Sequence, residues 1–176
     1  MNINFNSLNK NIIKCNKCPR LVKFRKKISI EKRRQYIDEI YWGKPITGFG
    51  DTNGKILFVG LAPAAHGGTR TGRVFTGDKS SDFLYKNLFN VKISNQSNSD
   101  HLNDGLKLKN AFITTTLKCV PPKDKPLKKE QENCFKFLKQ EIHLLKNLKV
   151  IVALGKIGFD ACINFFKINY NFSEKV

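Results

Sequence analysis

The stretch Lys55-Ile-Leu-Phe-Val-Gly60-Leu-Ala-Pro-Ala-Ala-His66-Gly-Gly-Thr-Arg70-Thr-Gly-Arg73-Val-Phe75-Thr-Gly-Asp78 decides the fold class. Its first six residues are an apolar run closed by glycine, the pattern of a buried strand. The next part holds too many glycines for a helix and is too apolar at Leu61–Ala65 for solvated linker. Gly60, Gly67, Gly68, Gly72 and Gly77 permit tight turns and let another molecule approach the backbone. Arg70 and Arg73 add two fixed cations, His66 an imidazole, Phe75 an aromatic face and Asp78 the only carboxylate. Behind it, Ser80-Ser-Asp82 caps a helix through Phe83-Leu-Tyr-Lys-Asn-Leu-Phe89. Strand, glycine-rich loop and helix start together make a site for an anionic ligand at the carboxyl end of a strand. Neither the Gly-x-x-x-x-Gly-Lys phosphate loop nor Gly-x-Gly-x-x-Gly is present.

Working outward, two further runs read as strands: Ala111-Phe-Ile-Thr-Thr-Thr-Leu117 and Val150-Ile-Val-Ala-Leu-Gly155. Between them, Leu127–Leu148 repeats apolar residues at three and four (Cys134, Phe135, Leu138, Ile142, Leu145), which predicts a long helix. Lys156–Phe166 predicts another. Toward the N-terminus, Phe5–Lys14 is a short amphipathic helix and Leu21–Trp42 one or two basic ones. Trp42–Gly54 reads as turn throughout and Ser94–Gly105 as a polar loop. Strands alternating with helices specify an α/β domain with a parallel central sheet. A further strand is expected after the last helix, so the single domain over residues 1–176 is expected to be C-terminally incomplete.

The 176 residues carry a formal charge of +18 and a pI near 9.9, which favours a polyanionic partner such as DNA. Of the 32 basic residues only six are Arg (20, 25, 33, 34, 70 and 73). Abundant Lys, Asn, Ile and Phe is also the signature of AT-rich coding, so the charge supports that partner without establishing it. No apolar run reaches membrane-spanning length and no signal peptide opens the chain, so a cytoplasmic protein with no membrane partner is expected.

Cys15-Asn-Lys-Cys18 is a Cys-x-x-Cys pair, Cys119 follows the second strand, and Cys134 lies on the long helix. Cys162, among Ala161, Ile163 and Phe165, reads as a core thiol. Disulfides do not suit a cytoplasmic chain, and the context of a thioredoxin-like redox pair is missing. On chemistry alone, four such thiolates can hold zinc or a [4Fe–4S] cluster.

Loop and cysteines together resemble the family 5 uracil-DNA glycosylases. The likeness rests on Gly60-Leu-Ala-Pro-Ala-Ala-His-Gly-Gly68, Arg70-Thr-Gly-Arg-Val-Phe-Thr-Gly-Asp78, Cys15-x-x-Cys18-Pro19-Arg20-Leu21 and Lys118-Cys-Val-Pro-Pro122. Trp42-Gly-Lys-Pro45, Gly48-Phe-Gly-Asp51 and Val152-Ala-Leu-Gly155 also fit, and the likeness runs from Cys15 to about Phe166. It implies a three-layer α/β/α sandwich with a central mostly parallel sheet, and a [4Fe–4S] cluster on Cys15, Cys18, Cys119 and Cys134, zinc being the alternative. It also implies excision of uracil, and of other deaminated bases such as hypoxanthine, from DNA by a monomer. Thr69 stands where the family has Asn, and Asp124 where it has Asn in the Pro-Pro-Lys turn. Thr115 replaces the base-reading Asn of family 4, which favours family 5. The family's second catalytic motif, a His-x-Ser segment near the C-terminus, has no counterpart in these 176 residues.

The chemistry such an enzyme needs assigns the remaining roles. A base in duplex DNA must be flipped out and held; Phe75 is the residue to stack on it, with Gly60, Leu61, Ala62, Pro63, Ala64 and Asp124 along its edge. Breaking the glycosidic bond leaves a cationic sugar and an anionic base. The family motif gives the stabilising carboxylate as Asp78, and His66 suits the departing base. Arg70 and Arg73 are expected to contact DNA phosphates.

Overall fold

The computed structural model describes residues 4–170. The elements run α1 (Phe5–Ile13), α2 (Pro19–Glu31), β1 (Phe49–Gly50), β2 (Ile56–Gly60), α3 (Gly68–Thr71), α4 (Lys79–Asn90), β3 (Ala111–Thr115), α5 (Lys128–Leu144), β4 (Val150–Ala153) and α6 (Lys156–Tyr170). One-turn 3-10 helices fill Arg34–Tyr36 and Pro122–Asp124.

The four strands form one sheet in the order β1-β3-β2-β4. β2 pairs in parallel with β3 and with β4, placing Leu57 beside both Phe112 and Ile151. β1 is the antiparallel exception, Phe49 facing Ile113. Alternation along the strands then sorts the core. Phe58, Ala111 and Ile113 pack with Tyr85 and Leu88 of α4 on one face. Leu57, Val59 and Phe112 meet Leu138 and Ile142 of α5 and Ala161, Cys162 and Phe165 of α6 on the other. Phe5 of α1 joins this second face, its ring 5.1 Å from that of Phe112, while Leu8 and Ile12 pack on Phe137. Helices on both faces of the sheet make three layers, as the family resemblance implies.

Three local expectations change. The glycine-rich loop contains one true helical turn, α3, because Gly67 and Gly68 let the chain coil there; Gly72, at φ +87°, ends it in the left-handed region. The turn-like Trp42–Gly54 segment contains β1, which tertiary pairing with β3 creates despite a Gly-Phe-Gly sequence. Helix α5 stops at Leu144 rather than Leu148, Leu145 having left helical geometry at ψ 77°. Cys162 is a buried core thiol, as read.

Candidate active site

β2 ends at Gly60, and the chain there runs straight into a cleft of about 670 Å³. Leu61, Ala62 and Ala64 from the loop line it, together with Phe75, Asp78 and, from the far turn, Asp124. Lys79, Ser80 and the exposed Phe83, all on the first turns of α4, stand along its wall. Of the other edge positions, Gly60 lies behind Phe75: a Cβ there would come within 2.6 Å of the Phe75 ring. Pro63 is buried against Gly68.

Two of these residues are held in the left-handed region, Phe75 at φ +47° and Asp124 at φ +54°. A non-glycine residue there costs on the order of 1–3 kcal/mol and persists only where its surroundings enforce it. For Phe75 the enforcing network is visible. Ser99 Oγ donates to the Phe75 carbonyl at 3.1 Å. Arg73 in turn donates to Ser99 Oγ at 3.0 Å and to Thr76 Oγ1 at 2.9 Å. Asp104 grips the same guanidinium with both oxygens, at 2.8 and 2.6 Å. Burial works against the Asp104 carboxylate, but Arg73 and the Leu106 and Asp100 N–H groups outweigh it and hold it far below its ordinary range.

Asp78 is at once the N-cap of α4 and a wall of the cleft. Its Oδ1 accepts the Ser81 N–H at 3.0 Å, and Ser81 Oγ accepts the Asp78 N–H in return. Its Oδ2 reaches over Gly67, where any Cβ would collide with it. Burial raises the Asp78 pKa above its ordinary 3.8, partly opposed by the Ser81 and Ser80 N–H groups. His66 is not among the residues lining the cleft. Its Nδ1 lies 3.0 Å from the Tyr41 hydroxyl, and burial, reinforced by Arg33 and Arg70, lowers its pKa.

The expected phosphate contacts of Arg70 and Arg73 require correction. Arg73 is 3% exposed and committed to Asp104. Arg70 is 8% exposed, pairs with Glu39 and donates to the carbonyls of His66 and Gly77. Both are interior anchors of the loop. A glycine-rich loop cannot hold itself rigid, and fork-shaped guanidiniums with several donors each can do so from within. Sequence reading took their charge for surface charge; it also passed over Asp104 and Ser99, because their partner Arg73 lies 31 and 26 residues away in the chain.

The other predicted cluster comes together. Cys15, Cys18, Cys119 and Cys134 line one pocket, closed by Leu21, Val22, Pro45 and Phe137. Among the described residues no three His, Cys, Asp or Glu side chains converge as on a single ion; the thiols ring the pocket instead. Burial pushes the Cys119 thiol up to about 12 and the Cys134 thiol up to about 11. The Lys118 N–H points at Cys134 Sγ, 3.2 Å away, and Asn133 Nδ2 at Cys18 Sγ, 3.6 Å away. Beneath, Lys118 is itself buried (1%), its Nζ donating to Glu141 and Thr114. Nothing in the sequence pattern marks Lys118 as internal in so basic a chain.

Comparison with known proteins identifies the family. Residues 47–174 match the family model described as the uracil DNA glycosylase superfamily. A type-5 uracil-DNA glycosylase of Pyrobaculum aerophilum is 41% identical over 152 residues, 86% of this chain and 66% of that protein. One of Thermus thermophilus is 41% identical over 152 residues, 86% of this chain and 68% of its own length. A type-4 uracil-DNA glycosylase of Archaeoglobus fulgidus is 26% identical over 132 residues, 74% of this chain and 58% of its own. The chain thus spans about two thirds of the length of the two type-5 relatives. Among the described residues no helix is long and apolar enough to cross a membrane. The chain belongs to the uracil DNA glycosylase superfamily, and its type-5 relatives place it in that branch.

Proposed function

We propose that this chain is the catalytic core of a DNA glycosylase that removes uracil, and other deaminated bases such as hypoxanthine, by hydrolysing the bond between base and deoxyribose. The observation that carries the reading is the joint placement of Phe75 and Asp78 on one cleft floored by Leu61, Ala62 and Ala64. The cleft receives a base flipped out of the helix. The Phe75 ring, backed by Gly60 and fixed by Ser99, is the stacking surface; an aromatic stack is worth about 1–3 kcal/mol per base.

Cleavage breaks the bond between the base nitrogen and C1′ and forms one from a water oxygen to C1′. The base leaves with the bonding pair as an anion and the sugar passes through a cationic state. The Asp78 carboxylate, one oxygen held by the Ser81 N–H, offers the other to that cation and to the attacking water. The proton lost by the water finally neutralises the departing base. His66, which stands on the same loop but outside the cleft lining, is the group assigned to that base, with the Tyr41 hydroxyl, 3.0 Å from Nδ1, taken as the donor to it. Assigned on these partners, the neutral ring carries its own proton on Nε2, a donor for developing negative charge. Asp124 lines the same cleft and is the candidate for reading the base edge.

We further propose that Cys15, Cys18, Cys119 and Cys134 hold a [4Fe–4S] cluster. Burial opposes ionisation of Cys119 and Cys134, and a nearby metal cation is what stabilises thiolates in such a place. All four cysteines line one pocket, where the Lys118 N–H and the Asn133 amide are directed at two of the sulfurs, and such hydrogen bonds to sulfur suit a cluster held by four thiolates. The cluster's contribution is structural: it ties the α1–α2 turn to the end of β3 and to α5.

The test is single-turnover excision from a uracil-containing duplex. Asn caps helices as well as Asp does, so Asp78→Asn keeps the cap while removing the charge. The expected outcome is a rate lower by orders of magnitude with DNA binding unchanged and the melting temperature held. The wild-type rate should rise with pH through an apparent pKa above 3.8, because only the ionised Asp78 works and burial raises its pKa. Near-normal excision by Asp78→Asn would leave Asp78 a helix cap and nothing more. A wild-type chain that binds DNA but cuts no glycosidic bond would be a binding module.

A further inference from the structure

The segment between α2 and β1 is fastened to the glycine-rich loop at three side-chain points. Glu39 pairs with Arg70 at 2.5 Å, the Arg70 guanidinium lies 3.9 Å from the centre of the Tyr36 ring, and the Tyr41 hydroxyl meets His66. Backbone bonds from Trp42 N–H to the Arg70 carbonyl (2.8 Å) and from Gly43 N–H to the Thr69 carbonyl (3.0 Å) continue the seam. These anchors fall on the rim of the proposed base-binding cleft, since Arg70 also holds the Gly77 carbonyl, next to Asp78. The turn so fixed lifts two apolar side chains into water: Ile40 is 95% exposed and Ile37 54%. Arg33 and Arg34 are exposed beside them, and Lys32 closes the turn on the Ile37 carbonyl at 2.7 Å. Asp38 is exposed there too, while Glu39 is spent on Arg70.

A lone exposed isoleucine needs no explanation. Two on one turn, pinned by a buried arginine to the lip of a base-binding loop and flanked by cations, do. Flipping a nucleotide leaves a gap in the base stack, and proteins that deform DNA commonly press apolar side chains against such unstacked steps. Cations beside the wedge answer the phosphates that bracket the gap.

We propose that the 32–40 turn is a second DNA-contacting element, with Ile37 and Ile40 against the base stack next to the extruded nucleotide and Arg33 and Arg34 on flanking phosphates. This rests on the glycosylase reading above, and the occupant is duplex DNA.

The test measures affinity of the whole chain for three labelled DNAs: a duplex with a central abasic-site analogue, the intact duplex, and the single strand. Both pairs of residues are exposed, so Ile37→Ser/Ile40→Ser and Arg33→Gln/Arg34→Gln should fold normally, which thermal melting verifies. The isoleucine pair should lose about tenfold in affinity for the abasic duplex, with the single strand within about twofold. The arginine pair should weaken all duplex binding and lower the slope of log affinity on log salt by about 1.8, two contacts at roughly 0.9 each. Isoleucine variants that bind like wild type overturn the proposal while wild-type uracil excision keeps the glycosylase reading. A wild-type chain that neither excises uracil nor prefers the abasic duplex overturns both. Unchanged DNA binding with loss of a self-association in sedimentation would make the turn a protein contact and also overturn it.

Discussion

The cleft below the glycine-rich loop and the pocket ringed by cysteines differ in how their polar groups are satisfied. Around the cleft, partners come from within the chain. Arg73 has Asp104, Ser99 and Thr76, Arg70 has Glu39 and two carbonyls, and Asp78 has Ser81. The cysteine pocket offers four sulfurs with one N–H and one side-chain amide pointed at two of them. A region that supplies its own counter-charges can be preorganised by folding alone. On the proposal that these four thiols hold a cluster, this region is complete only with its metal, and its stability becomes a function of that metal.

The largest effect expected from this contrast is on metal loss. Removing iron with a chelator, or replacing Cys119 with Ser, should abolish the visible absorption and unfold the N-terminal helices; structural metal sites can contribute roughly 10 kcal/mol. Circular dichroism melts of loaded and stripped protein read this directly. Cys162→Ala, in the apolar second face, should leave the iron content unchanged. Stripped protein melting at the same temperature would show the pocket to be as self-sufficient as the cleft, and zinc without iron in anaerobically prepared protein would replace the cluster.

Next in size is the cleft's own interior pair. Arg73→Ala strands the Asp104 carboxylate, side chains 3% and 5% exposed, and removing one partner of such a pair costs about 3–5 kcal/mol. Because Asp104 is held below its ordinary 3.8, its contribution to stability is present above that pH and fades as pH falls below it. The wild-type stability lost on acidification below 3.8 should therefore exceed that lost by Arg73→Ala. Denaturant midpoints at neutral and acid pH compare them. Equal acid losses would show that Arg73 does not hold Asp104.

These two regions were unequally legible in the sequence. Short apolar strands and the amphipathic α5 repeat themselves locally, so periodicity exposes the alternation of strands and helices, while the three layers came from the family resemblance. The four cysteines are rare residues, and their spacing carried the pocket. The cleft's wall was legible in Phe75 and Asp78, since both lie on one glycine-punctuated stretch. What makes that wall rigid was not. Arg73 meets Asp104 across 31 residues, Arg70 meets Glu39 across 31, and Lys118 meets Glu141 across 23. A basic side chain inside and a basic side chain outside are the same letter; only the fold distinguishes them. The same blindness hid β1, whose two residues are a strand only because β3 lies beside them.

The smallest effect expected tests whether the cleft's internal pairing extends to protonation. Tyr41 is 7% exposed, with its hydroxyl between the Arg33 N–H and His66 Nδ1. Burial, then Arg33 and Arg70, keeps His66 neutral to lower pH than usual, so at neutral pH the ring has one proton and two places to keep it. Tyr41 as donor to Nδ1 puts that proton on Nε2. Tyr41→Phe removes the donor while preserving the ring's bulk and its edge contact with the imidazole, 6.0 Å between centroids. A single neutral hydrogen bond is worth about 1 kcal/mol, so single-turnover excision should fall roughly fivefold. Affinity for uracil DNA should stay as it was, because the bond acts on the departing base and not on its docking. A merely structural role for Tyr41 would lower stability and rate without touching the ring proton. Nitrogen-15 chemical shifts of His66 separate the two cases: the wild type should show a protonated Nε2 and a bare Nδ1, and Tyr41→Phe a mixture. Identical shifts in both proteins would mean that His66 chooses its tautomer without Tyr41, and that the cleft's self-sufficiency stops at Arg70.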